Sequence, residues 1–202
     1  MSIRSRIDEL NRLMTDIGRP AAIMEVCGTH TMTAYRSGLP GLLPEGLHLL
    51  SGPGCPVCVT PTDFVDKAVA LAHRPDTTVA TFGDMLRVPG TDASLEVARA
   101  KGASVRVVYS PADALEAARG DPRRTIVFLC VGFETTAPAV AWTIREAART
   151  SVTNYAVLCA HKTMPHAMAG LLQDAELNLD AFLCPGHVSV VTGAGIYEFI
   201  CH

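Results

Sequence analysis

The sequence predicts a parallel α/β protein. Short apolar runs alternate with helical patterns along the chain, and several runs are apolar at consecutive positions, as strands covered by helices on both faces must be. Composition agrees: of 202 residues, 49% are hydrophobic and only 18% charged, so little of the chain is free to serve as solvated face. That length suits one domain of ordinary size or two small ones.

The opening segment places Ile3, Ile7, Leu10, Leu13, Met14 and Ile17 at helical spacing and closes with Gly18 and Pro20, a cap glycine followed by a breaker. Strands then follow at AAIMEV (21–26), LHLL (47–50), TTVATF (77–82), SVRVVY (104–109), TIVFLCVGF (125–133), YAVLCA (155–160) and AFLC (181–184). Helical patterns lie between them at DFVDKAVALAH, SLEVARAKG, PADALEAARG, APAVAWTIREAART and PHAMAGLLQD, several opening on Pro, Ser or Thr or closing on Gly. The GDPRR stretch at 120–124 reads as a linker. It divides the chain into a first α/β unit, 1–120, with four strands, and a second, 121–202, with three.

Charge and hydropathy exclude whole classes of function. With 17 Lys and Arg against 20 Asp and Glu, the chain has no basic excess with which to neutralise phosphates, so no nucleic-acid partner is expected. The longest apolar stretch, Ile126 to Phe133, falls far short of the roughly 20 residues that cross a bilayer. No membrane partner is expected, and the mean hydropathy of +0.25 is assigned to buried strands. The N-terminal MSIRSRIDELNRL mixes acids and bases and lacks the apolar core of a secretory signal, so a cytoplasmic location is expected. Seven cysteines, an odd number in a chain without an export signal, point to thiol chemistry or metal binding rather than a disulfide framework.

Ligands of open α/β sheets bind beyond the carboxyl ends of the strands, so the residues that follow each apolar run carry the information. Those positions hold Cys27-Gly-Thr-His30, Gly52-Pro-Gly-Cys55-Pro-Val-Cys58, Gly83-Asp84, Gly132-Phe-Glu134-Thr-Thr136, His161-Lys162 and Pro185-Gly186-His187, a gathering expected along one edge. Cys55 and Cys58 form a CxxC pair able to cycle between dithiol and disulfide. Pro53 and Pro56 stiffen its loop, and a helix starting near Thr60 to Thr62 would favour thiolate at Cys55. Cys27 and His30, on a loop held by Gly28 and two threonines, supply a soft thiolate and an imidazole suited to a transition metal with open positions. A closed zinc site built from Cys27, His30, Cys55 and Cys58 is the structural alternative.

Glu134 reads as a carboxylate aimed into the cleft, with Thr135 and Thr136 as competing helix caps. His187 is a candidate ligand, acid or base. His161 and His166 flank a helix start, while His48, His73 and His202 read as surface or packing residues. Cys130, Cys159 and Cys184 read as small buried hydrophobes. Nucleotide signatures and a serine nucleophile elbow are missing from the sequence.

Taken together, MEVCGTHT (24–31), SGPGCPVCVTP (51–61), TFGDMLRVPG (81–90), VGFETTAP (131–138) and CPGHVSVVTG (184–193) resemble the HypD family of [NiFe]-hydrogenase maturation proteins, nearly end to end. The resemblance implies two small Rossmann-like units with parallel sheets flanked by helices, the second incomplete. It implies a non-enzymatic scaffold on which an iron is assembled as an Fe(CN)2CO intermediate, with a HypC-type chaperone as partner and a HypE-type cyanide donor docking in turn. By motif, Cys27 would hold the iron with His30 in support. Cys55 and Cys58 would be the redox pair, and Glu134 and His187 would line the cleft. The family also implies a C-terminal region with four cysteines for a [4Fe–4S] cluster. This sequence ends at Phe199-Ile-Cys-His202 without them, so a truncated chain lacking the cluster is expected, with part of its apolar surface exposed. A thioredoxin-like thiol oxidoreductase is the alternative of a different class.

Overall fold

The structure, a computed structural model, describes residues 2–52, 54–174 and 176–201. Pro53 and His202 lie outside the described residues. The chain forms two compact units, one of residues 1–55 with 165–202 and one of residues 56–164.

In the first unit, helix α1 (Ile3–Ile17) leads into strand β1 (Ala21–Glu25), helix α2 (Gly28–Arg36), a short 3-10 turn and strand β2 (Leu47–Ser51). Near the end of the chain come helix α7 (Met164–Leu172), strand β7 (Ala181–Leu183), helix α8 (Gly186–Thr192) and a closing 3-10 segment, Ala194–Cys201. The sheet order is β2-β1-β7, all parallel, so β1 is central and Ile23 has Leu49 on one side and Ala181 on the other. Helix α1 starts where the Ser2 hydroxyl accepts the Ser5 N–H and stops at Gly18, as its spacing predicts.

The second unit runs through α3 (Thr62–Ala72), β3 (Thr77–Thr81), a 3-10 turn at Gly83–Arg87, α4 (Leu95–Ala100), β4 (Val105–Val107), α5 (Pro111–Gly120), β5 (Thr125–Cys130), α6 (Ala137–Arg149) and β6 (Tyr155–Cys159). Its sheet order is β4-β3-β5-β6, again all parallel. Interior strand β5 explains its own sequence: Leu129 joins a core cluster with Phe64, Met85 and Leu95, while Ile126, Phe128 and Cys130 join another with Ala114, Ala118 and Val140. Alternate side chains are buried on opposite faces, so the strand must be apolar throughout. Phe128, fully buried, meets Phe82 edge to face with ring centroids 5.5 Å apart, a pair worth about 1 kcal/mol beyond its buried area.

The strands appear where their apolar runs place them, but the units divide the chain differently from the expected 1–120 and 121–202. β3 and β4 share a sheet with β5 and β6, and β7 returns to β1. GDPRR is no linker. The Asn154 side-chain amide donates to the carbonyls of Ala118 at 2.8 Å, Asp121 at 3.1 Å and Arg124 at 2.8 Å, and Arg124 itself reaches Thr78 Oγ1 and the Thr77 carbonyl. The stretch is thereby fastened to the sheet that follows it. Residues 28–36, read as a loop, form α2, and a further helix, α8, begins at Gly186.

Asn154→Ala strands three carbonyls at once, and a lost partner costs about 1–3 kcal/mol per part-buried group. A drop of about 2–3 kcal/mol in urea-unfolding stability is expected, together with faster exchange of the amides in 119–125.

Candidate functional site

Cys27 follows the central strand of the first unit. The ladder continues past β1 on both sides, with the Gly52 N–H donating to the Glu25 carbonyl at 2.8 Å and the Val26 N–H to the Leu183 carbonyl at 3.3 Å. Three chain segments therefore leave the carboxyl edge of this sheet side by side. Because the chain goes from β1 to β2 on one flank and reaches β7 on the other, this is the switch point at which open sheets bind ligands.

At that point Cys27 is extended and its carbonyl accepts the N–H groups of His30 at 2.9 Å and Thr31 at 3.2 Å, which starts α2. Its thiol is buried, 3% exposed, and makes no capping bond. Instead its Sγ lies 3.8 Å from Nδ1 of His187, the second residue of α8. The backbone at Gly54 lies close against this residue. A Cβ on Gly54 would stand 2.4 Å from Cys27 Cα and 2.5 Å from the nitrogens of Cys27 and Gly28, so only glycine fits there. On the same face Thr31 Oγ1 and Ser51 Oγ meet at 2.9 Å, tying α2 to β2.

The partner of Cys27 differs from the one expected. His30 lies on α2 and its Nδ1 is buried with no hydrogen-bond partner among the described residues, whereas His187, far along the chain, approaches the thiol. Among the described residues no three His, Cys, Asp or Glu side chains gather as a closed metal site requires. Sequence reading also missed Glu25. It is 1% exposed, and neither carboxylate oxygen has a hydrogen-bond partner among the described residues. The signal was available: a charged residue inside the apolar run AAIMEV, two positions before Cys27.

The CxxC pair is divided between the units, Cys55 closing one stretch of the first and Cys58 lying in the turn at 56–59 that opens the second. Cys55 is half-buried and Cys58 exposed. The turn is held by the Thr60 hydroxyl donating to the Pro56 carbonyl at 2.9 Å, and Val57 packs on the core of the second unit. Helix α3 begins only at Thr62 with Pro61 as its cap, so Cys55 lies outside the first turn in which a helix dipole is felt.

The remaining site residues also fall on two sheets rather than one edge. In the second unit, Glu134 Oε1 accepts the Met164 N–H at 2.7 Å while Oε2 is buried without a partner. Thr136 occupies the cap position of α6 without capping it; its hydroxyl donates to the Phe133 carbonyl at 3.0 Å and meets His161 Nε2 at 3.2 Å. Burial lowers the His161 imidazole below the ordinary histidine value. Cys130 is buried as read, but Cys159 is exposed and Cys184 half-buried, with burial raising the Cys184 thiol. His48 and His73 are exposed.

A parallel α/β unit with a buried thiol and an imidazole converging at its sheet switch point places these groups where proteins of this architecture bind ligands. Among them, the chain belongs to the HypD family: the family model described as the hydrogenase formation hypA family matches residues 1–202. It is 48% identical over 95% of its length to the hydrogenase maturation factor HypD of Rhodobacter capsulatus, covering 52% of that protein. It is likewise 48% identical over 90% of its length to HypD of Escherichia coli K12, covering 49%, and 46% identical over 90% to HypD of Azotobacter vinelandii, covering 50%. The chain thus spans about half the length of the curated relatives it matches. Among the described residues no helix is long and apolar enough to cross a membrane.

Gly54→Ala forces backbone against backbone and lifts the loop from Cys27. Alkylation of Cys27 under native conditions is expected to quicken by about tenfold, the factor given by ~1.4 kcal/mol of lost local stability, followed by mass spectrometry of the Cys27 peptide. His161 carries a pH dependence of definite sign. Its folded value lies below its unfolded one, so the unfolded chain binds the proton first, and stability falls as pH drops below the unfolded value of 6.5 towards the folded value. Urea midpoints at pH 7.5 and 5.5 are expected to differ less in His161→Gln than in the parent chain.

Proposed function

We propose that this chain serves the maturation of a [NiFe]-hydrogenase as an assembly scaffold, not as an enzyme. Its cargo is an iron carrying cyanide and carbon monoxide, the Fe(CN)2CO intermediate, held through Cys27. The observation that carries this reading is the buried Cys27 thiol beside His187, in a chain matched by the HypD family model from end to end.

The donor set fits such a cargo. One thiolate and one imidazole leave most coordination positions open, which suits a metal that brings its own strong-field ligands and would leave a bare zinc under-coordinated. Cys27 supplies the soft anionic donor. His187 accepts the thiol proton or donates a hydrogen bond to the thiolate, and His30, with a ring nitrogen buried and unpartnered, has bonding capacity to give to the incoming group. Glu25 adds two unpartnered carboxylate oxygens two residues away. Gly54 fits closely against the Cys27 backbone, and the Cys27 residue is 3% exposed.

Cys55 and Cys58 supply the redox function in this proposal: as a dithiol they release two electrons and two protons on closing to a disulfide. Glu134, held by the Met164 N–H, keeps one oxygen for a proton or a partner's donor. A HypC-type chaperone is the partner with which the iron is shared. A HypE-type protein is the cyanide donor that docks in turn. The [4Fe–4S] cluster that the family resemblance implies is not assigned to these residues.

Infrared spectroscopy of the 202-residue chain purified with a HypC-type chaperone tests the scaffold. Stretching bands of cyanide and carbon monoxide are expected, with loss of at least nine-tenths of their intensity in Cys27→Ala. Bands of undiminished intensity in that variant would remove Cys27 from the role. If Cys27→Ala instead retains full disulfide-reducing activity from Cys55 and Cys58 and the parent shows no bands, the thiol oxidoreductase replaces the scaffold.

A further inference from the structure

A second pair of cysteines lies outside the proposed iron site. Cys130 ends β5 and Cys159 ends β6, and the two are register partners in the parallel ladder. Partners in neighbouring parallel strands lie roughly 4.8 Å apart, inside the ~4.4–6.8 Å span between Cα atoms that a disulfide can bridge. Their side chains share a face. Ile126, Phe128 and Cys130 belong to one core cluster, and Tyr155 and Val157, the residues opposite Ile126 and Phe128, pack against that same cluster. Cys159 is the next step in that row. The two thiols also sense each other: burial first, and then the nearby Cys159, push the Cys130 thiol up to about 12.

The pair is asymmetric. Cys159 is exposed on β6, the last strand in the order β4-β3-β5-β6, and Cys130 is 1% exposed beneath it. Cys130 also lines a cavity of about 160 Å³ with Phe82, Phe128, Thr136 and His161, so its sulfur has free volume beside it. An edge strand bonded on one flank has more freedom to move the last fraction of an ångström than an interior one.

We propose that Cys130 and Cys159 form a second dithiol, distinct from the CPVC pair, which a peroxide oxidises to a disulfide joining β5 to β6. The Cys159 thiolate attacks a peroxide oxygen; the O–O bond breaks, Cys159 becomes a sulfenic acid, and the peroxide is reduced to water or an alcohol. The Cys130 sulfur then attacks the sulfenic sulfur. The S–S bond forms, the S–O bond breaks, and hydroxide leaves with the Cys130 proton as water. Two electrons have passed from the thiols to the peroxide.

Hydrogen peroxide itself is the probe, applied to the full chain carrying Cys55→Ser and Cys58→Ser so that the CPVC pair cannot contribute. After non-reducing alkylation in denaturant and tryptic digestion, peptides 125–145 and 150–162, each with a single cysteine, are expected to appear joined and short of two hydrogens. In Cys130→Ala the reaction is expected to stop at a Cys159 sulfenic acid, trapped by dimedone. Cys159→Ser, at an exposed position, keeps the test open should the core variant fail to fold: it is expected to leave Cys130 unoxidised. Cys159 proceeding to sulfinic acid while Cys130 stays fully alkylatable, or Cys159 joined to Cys184 or Cys201 instead, overturns the proposal. None of these readouts depends on iron.

Discussion

The pairing of β1 with β7 is the interaction on which the candidate site depends. A three-residue strand makes few ladder bonds, and the start of β7 is fixed by more than its ladder. The Asp180 carboxylate accepts the Ala22 N–H at 2.8 Å and the Arg19 guanidinium at 2.5 Å, and the Asp180 N–H donates to the Ala22 carbonyl at 2.9 Å. Arg19, through its hydrogen bond and charge, holds the Asp180 carboxyl below the usual carboxylate range. With that register set, Leu183 lies beside Glu25, and the loop beyond it delivers His187 to Cys27. Without it the thiol would have its loop and its helix but no imidazole.

The two units use one architecture for different ends. In the first, the switch point of a small sheet gathers polar and thiol groups into a buried position, with several unpartnered atoms around it. In the second, the strands are better covered, and the corresponding loops are only partly satisfied among the described residues: one Glu134 oxygen takes a backbone N–H while the other has no partner, and Thr136 meets the Phe133 carbonyl and His161. Orphaned polar groups are expensive in a protein interior, so their concentration near Cys27 marks where binding free energy remains to be gained.

Much of the fold was legible in the sequence because parallel strands buried on both faces leave an unbroken apolar run, as in TIVFLC, and because helices such as PADALEAARG announce both ends. The helices that escaped notice are built from poor formers: GTHTMTAYR has glycine and three threonines, and GHVSVVT is rich in β-branched residues. Their conformation is set by packing on the sheet. Which strands share a sheet was equally hidden, since nothing in AFLC says that it will lie beside AAIME rather than YAVLC. At the site, the positions of Cys27, Cys55 and His187 were readable from their place after apolar runs. Their grouping was not, because spacing along the chain ranks His30 as the nearest imidazole, whereas the return of β7 brings His187 instead. Cys159 was misread for a simple reason: an apolar run on an edge strand looks like one in the middle.

In sequence, the second unit is a continuous stretch inserted between the two segments of the first, whose own sheet draws strands from both segments. On the ribosome this becomes an order of events. Residues 56–164 contain all that their sheet needs and can fold while synthesis continues, whereas β1 and β2 must wait as an incomplete pair until Ala181–Leu183 has emerged. Cys27 is therefore translated 160 residues ahead of His187, which completes its surroundings. Until those residues have followed, the thiol lacks its imidazole, so the order of synthesis joins geometry in deciding when the pair exists.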